Sequence, residues 1–345
     1  MNEQSSTTSK PKTFLFFLLL AGTFFAAPCH AVADGRATEY EGSALTTRIY
    51  FKPLPEQMPG SQGDTPALVE LGRKLFFERG ISLNKTQACS DCHLLDGRHA
   101  GTDNLPTSPG ARGIHGKRNT PTVLNAGFQI LQFWDGRAVD LVEQARGPLL
   151  HPDEMAMRTE EEVVSRLQGI EDYRSSFARA FPKPGDQITF DHIVQAIAAF
   201  ERTLVAPARF DRYLKGETGA LSEAEKHGLR RFMEVGCVEC HSSHPVGGRL
   251  LQKFGIYHPY DNESDAGRYE ITGREEDRFV FKVPMLRNVT LTAPYFHDGK
   301  VSSLPEAIRR MAWMQLDRQL GPTEIEEIVG FLKALETENP GSNRP

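Results

Sequence analysis

Cysteine is nearly absent from this 345-residue chain outside two short stretches: four of its five cysteines lie in CSDCH at 89–93 and CVECH at 237–241. A scaffold stapled by scattered disulfides is therefore excluded. After an apolar run at Phe14–Ala27 no second long one follows, so nothing beyond the first residues can span a bilayer. Excess positive charge is lacking too. The chain holds 40 basic and 45 acidic residues, which argues against nucleic acid as a partner. Clean strand alternation is scarce, apart from short pieces such as Arg278–Val283.

The first 33 residues read as a secretory signal: Lys10 and Lys12 flank the apolar run, and Ala31-Val32-Ala33 is a small-x-small cleavage site. The run is about 14 residues, against the roughly 20 that a spanning helix needs, so cleavage near Ala33 is favoured over anchoring. Cys29 follows Pro28, a poor context for lipid attachment, and leaves with the signal. Removing residues 1–33 takes away Lys10, Lys12 and Glu3, leaving 38 basic and 44 acidic residues. The expectation is an exported, periplasmic protein without a membrane span after cleavage.

All remaining cysteines then sit in CxxCH. Disulfides or a four-cysteine zinc site would use the thiols but not the histidine that follows each time. Covalent c-type haem uses all three. Two thiols form thioethers with the vinyl groups, and the adjacent His becomes the proximal iron ligand. Cys89, Cys92 and His93 are thus assigned to one haem c, and Cys237, Cys240 and His241 to another.

Residues 34–65 are polar and proline-rich and read as an extended N-terminal arm. Leu68, Leu71 and Leu75 then recur at helical spacing. From His93 to Thr122 a Gly/Pro/Asn-rich stretch reads as a long loop, often a functional feature. Thr159 with Glu162, Ser222 with Glu225 and Thr323 with Glu326 match the capping-box signature, and Thr189–Leu204 is amphipathic. The fold class is mainly α, with two cytochrome c-like domains, each carrying one covalently bound haem c. A boundary falls within Ala206–Thr218, giving domains 66–205 and 206–338 and a flexible tail at 339–345. What separates the two haems is the ligand on the distal side. Seven methionines remain as candidates, among them Met311 in EAIRRMAWMQL, which equally well fills the core.

ACSDCH, RNTPTVLNAGF from Arg118, QFWDGRAVDLVEQARGPL from Gln132, GCVECH and PMLRNVTLTAPYFHDGK from Pro284 occur in an order that resembles the bacterial di-haem cytochrome c peroxidases. The resemblance runs from about Leu71 to Leu335. It implies that the first haem is peroxidatic, that the second transfers electrons, and that Met311 is the distal ligand of the second. Trp134 is implied as the path between the haems, and Gln144 and Glu154 as the polar pair on the peroxide side. A calcium ion is implied between the haems, held by Asn119 through its side chain and by Thr292 and Pro294 through backbone carbonyls. Read alone, Trp134 is also explained as core, Glu154 as a helix-terminal charge and Asn119 as a turn residue. Electrons would come from a small cytochrome c or cupredoxin, hydrogen peroxide would be the substrate, and relatives commonly form homodimers.

One departure stands out. Many relatives carry a distal His in a mobile loop, seven residues before the Arg of RNTPT. Here SPGARGIHGKRN puts Ala111 there, and alanine cannot bind iron. Either the peroxidatic haem is open when oxidised and needs no reductive activation, or His115, four residues on, closes it. His99 is a weaker third candidate. Two other functions compete: a di-haem oxidase of a protein or organic substrate, and a non-catalytic di-haem electron carrier. Relatives that oxidise a partner protein tend to carry Tyr where Met311 stands, and a pure carrier gives Gln144 and Glu154 no purpose.

Overall fold

A computed structural model describes residues 46–183 and 188–338. The expected signal at 1–33, the first part of the arm and the tail at 339–345 lie outside the described residues.

Helix α1 (Pro66–Phe76) starts where expected. Proline occupies its first turn, where no N–H partner is needed, and the Thr65 hydroxyl accepts from Leu68 N at 3.2 Å. Leu71 and Leu75 are buried. Helices α2 (Leu141–Leu150), α3 (Glu160–Gln168), α4 (Glu171–Ala180) and α5 (Phe190–Glu201) complete the first half. Thr159 caps α3, as its sequence signature indicated, and Thr189 caps α5. In the second half come α6 (Arg209–Leu214), α7 (Glu223–Val235), α8 (Leu304–Leu316) and α9 (Pro322–Lys333). Ser222 and Glu225 form the expected capping box on α7. The third one does not form. Helix α9 begins at Pro322, so Thr323 is already inside it, and Glu324 reaches back to Gly321 N at 3.0 Å instead. The proline sets the start ahead of the threonine.

Both halves repeat one construction. In the first, α1 crosses α5 at Gly72, where a Cβ would lie 1.8 Å from Ala196 O. In the second, α7 crosses α9 at Gly228, where it would lie 2.0 Å from Glu327 O. Each CxxCH follows the glycine-bearing helix. A second repetition follows in each half. Asn125 and Asn288 both adopt the left-handed conformation that asparagine tolerates, and each opens a 3₁₀ turn, Ala126–Phe128 and Val289–Leu291. Phe133 and Phe296, then Gly136 and Gly299, share positive φ. Bridges Gln132–Ala138 and Tyr295–Val301 close equivalent loops before α2 and α8. One constant spacing relates the pairs of this second repetition, from Asn125 with Asn288 onward. Moved by it, Trp134 falls on His297, and Pro148 of α2 falls on Met311 of α8.

The cores follow the same division. Leu71, Leu75, Val163, Phe177, Ile193 and Ile197 pack together in the first half, and Phe210, Leu229, Phe232, Ile328, Phe331 and Leu335 in the second. The arm is not simply extended. Residues 46–50 are helical, and Phe51 joins the second core, 5.3 Å from the Phe210 ring. Leu54 and Met58 pack on Phe128. Apolar residues spaced along a proline-rich stretch thus bury it across both halves. The sheet is minimal: β1 (Leu251–Lys253) pairs antiparallel with β2 (Val280–Lys282), Leu251 opposite Lys282. Among the described residues, no helix is long and apolar enough to cross a membrane.

Candidate active site

Two cavities lie on either side of a shared wall. The first, of about 550 Å³, is lined by Cys89, Cys92, His93, Gln144, Pro148 and Glu154. The second, of about 230 Å³, is lined by Cys237, Cys240, His241 and Met311. Trp134, Asn119, Gln129 and Lys282 line both. Trp134 is fixed in that wall at two points: its indole N–H donates to Asn119 O at 2.8 Å, and its carbonyl accepts from Lys282 N at 2.7 Å.

The residues of each cavity fit a c-type haem. The four thiols are free. Burial pushes them up, Cys92 to about 11 and Cys237 to about 12, so they are protonated and inert until they react. His93 Nδ1 lies 3.2 Å from Gly101 O, which holds the proton there and leaves Nε2 free. His241 Nδ1 is sequestered facing the backbone of Val246 and Pro284, short of a full hydrogen bond. Burial lowers both imidazoles, His241 to about 4, keeping them neutral as iron ligands must be. No cluster of His, Cys, Asp and Glu suited to a metal ion occurs among the described residues, so the zinc alternative finds no support.

On the first cavity Glu154 sits in the turn after α2, its side chain 41% exposed. Burial raises its carboxyl, opposed by His151 and Arg137. Gln144 projects from α2 one turn before Pro148. The loop 108–116 is folded against this turn. Gly110 approaches so closely that a Cβ would meet Asp153 O at 2.1 Å, and Ala111 N donates to Glu154 O at 2.7 Å. Ala111 is 5% exposed, and its carbonyl accepts from the Asn84 amide. His115 stands on the outside of the loop, exposed, with Nδ1 2.8 Å from Thr107 O, and does not line the cavity. His99 is hydrogen-bonded to Asp96 at 2.9 Å, also outside the lining.

Asn119, Thr292 and Pro294 line the second cavity together. The Asn119 amide donates to Leu105 O at 2.9 Å, which leaves its own oxygen available.

Three residues of these walls escape a local reading of the sequence. Pro148 was findable by comparing QFWDGRAVDLVEQARGPL with the stretch from Tyr295 to Met311. Glu201 and Lys282 have no local pattern to mark them, since only the packing of α5 and of β2 brings them to the cavities.

Comparison with known proteins agrees with this geometry. A family model described as "Di-haem cytochrome c peroxidase" matches residues 66–219. Cytochrome c551 peroxidase of Nitrosomonas europaea is 44% identical over 282 residues, 81% of this chain and 82% of the relative. That of Pseudomonas aeruginosa is 41% identical over 335 residues, 95% and 94% of the two chains. Among solved structures, a MauG-like protein associated with microbial copper homeostasis matches with a TM-score of 0.72 at 30% identity, covering 83% of this chain and 94% of the other.

Two cytochrome c-like units facing one tryptophan define a di-haem c-type protein. The chain belongs to the di-haem cytochrome c peroxidase family and is an enzyme of that class, with two haem c groups as its cofactors.

Proposed function

We propose that this is a periplasmic enzyme that reduces hydrogen peroxide to water with electrons from a small cytochrome c or cupredoxin, and that its first haem is open without prior reduction. Residues 66–205 form the peroxidatic half and 206–338 the electron-transfer half. The observation that carries this reading is the equivalence of Pro148 and Met311. Met311 lines the second cavity with a thioether that can ligate iron, and Pro148 lines the first with a side chain that cannot. Ala111, tied by its backbone to Glu154 and Asn84, has no group that can ligate iron, and His115 is engaged by Thr107 on the surface.

When bound, the first haem supplies the iron at which peroxide is held and reduced. Reduction to two waters consumes two protons and two electrons. Glu154 would take a proton from the peroxide and return it to the departing oxygen, acting as base and then acid. Desolvation at the cavity wall raises its carboxyl above the ordinary glutamate value, which favours holding a proton. The Gln144 amide donates to the peroxide and holds it in place. Trp134, fixed between the cavities, is the path for the electron from the second half. Asn119, Thr292 and Pro294, which line the second cavity together, would hold a calcium ion with neutral oxygens, as this hard cation accepts.

The test is steady-state turnover with a reduced small cytochrome c, started from fully oxidised enzyme. Turnover without a lag is expected. A requirement for pre-reduction would contradict the open first haem.

A further inference from the structure

Lys282 is a buried charge that none of the described carboxylates pairs. It is 5% exposed, and its ammonium donates to the neutral amide oxygen of Gln129. No carboxylate lies within ion-pair distance of it among the described residues. Burial alone, with no opposing charge, brings it down to about 7. A buried ammonium without a counter-ion is unfavourable, and a methionine would fill the same space without that penalty. Its place is also fixed. Lys282 ends β2, pairs with Leu251, and donates its backbone N–H to Trp134 O. Both cavities include it in their walls.

Each haem c brings two carboxylates of its own, on the propionate side chains. Those groups are anions that enter the cavities only with the cofactor. On the reading of two haems, which this inference rests on, we propose that Lys282 is a shared carboxylate-binding residue that receives a propionate from each haem across the wall holding Trp134. The chain thereby places one positive charge between its two redox centres. A positive charge favours the reduced form, which carries one positive charge fewer at iron. Lys282 raises both reduction potentials together and is a positioning residue, touching the cofactors and not the peroxide.

The experiment compares wild type with Lys282→Met and Lys282→Arg as holoproteins. Pyridine haemochrome analysis first counts thioether-linked haem, and spectroelectrochemical titration then gives both midpoint potentials. Two haems per chain are expected in each, with both potentials lowered in K282M. A tenfold shift in each ferric-to-ferrous ratio corresponds to about 59 mV for a one-electron couple. K282R stays near wild type. Unchanged potentials in K282M overturn the proposal, and movement of only one overturns the shared role. If K282M does not assemble, resonance Raman of K282R decides: shifted propionate bending modes at both haems support the contact, and unshifted modes refute it. Absence of thioether-linked haem from wild type would instead defeat the underlying reading.

Discussion

Glu201 allows a prediction whose size comes directly from its surroundings. It ends α5, is 6% exposed, lines the first cavity, and has an unpartnered Oε2. Burial raises its carboxyl to about 8 from an ordinary 4.5, with Arg202 opposing weakly. The folded protein therefore retains a proton that the unfolded chain releases. The associated stability is complete below about pH 4.5 and is lost as pH rises through 8. At about 1.4 kcal/mol per pH unit, the loss between pH 5 and pH 8.5 is about 4 kcal/mol. Glu201→Gln keeps the shape and removes the ionisation. Urea unfolding of the holoproteins at a series of pH values measures the difference. The two should match near pH 5, and the variant should be more stable by about 4 kcal/mol at pH 8.5. Parallel stability curves across that range would show that Glu201 ionises freely and refute the reasoning.

Further outcomes follow from the same geometry. Gly72→Ala and Gly228→Ala should each destabilise by about 2 kcal/mol or more in denaturant titrations, since forcing two backbones apart outweighs the roughly 1 kcal/mol gained in helix propensity. Glu154→Gln should retain both haems and lower kcat for peroxide by a factor of about 10² to 10⁴, with KM little changed; near-normal kcat would remove Glu154 from proton transfer. Met311→Ala should convert the second haem to high spin and lower its potential, read by optical titration, while the first haem keeps its spectrum.

Much of the molecule is legible in its residues alone. CxxCH announces its own chemistry, because no other use of two thiols also needs the next histidine. Thr65 before Pro66 and Ser222 before Glu225 mark helix starts through local hydrogen bonds, and local interactions are what sequence spacing encodes. The features that escape such reading are all of another kind. Phe51, Leu54 and Met58 look like punctuation in a polar arm, yet distant cores capture them. Thr323 matches the capping box, but Pro322 fixes the helix start ahead of it. Lys282 lies on a three-residue strand whose partner, Leu251–Lys253, is too short to show alternation. Its burial depends on two cavities meeting, which no local pattern records. The distal side of the first haem is half legible. Ala111 stands out by position, whereas the outward placement of His115 depends on Thr107 and on the close approach of Gly110 to Asp153.

The measurement that bears most directly on the open first haem is a low-temperature EPR spectrum of the fully oxidised protein with calcium present. The account predicts a high-spin ferric signal from about half the iron, belonging to the haem at His93, beside a low-spin signal from the His241–Met311 haem. Two low-spin signals would mean that a sixth ligand closes the first haem, would bring His115 back as that ligand, and would contradict activity without prior reduction.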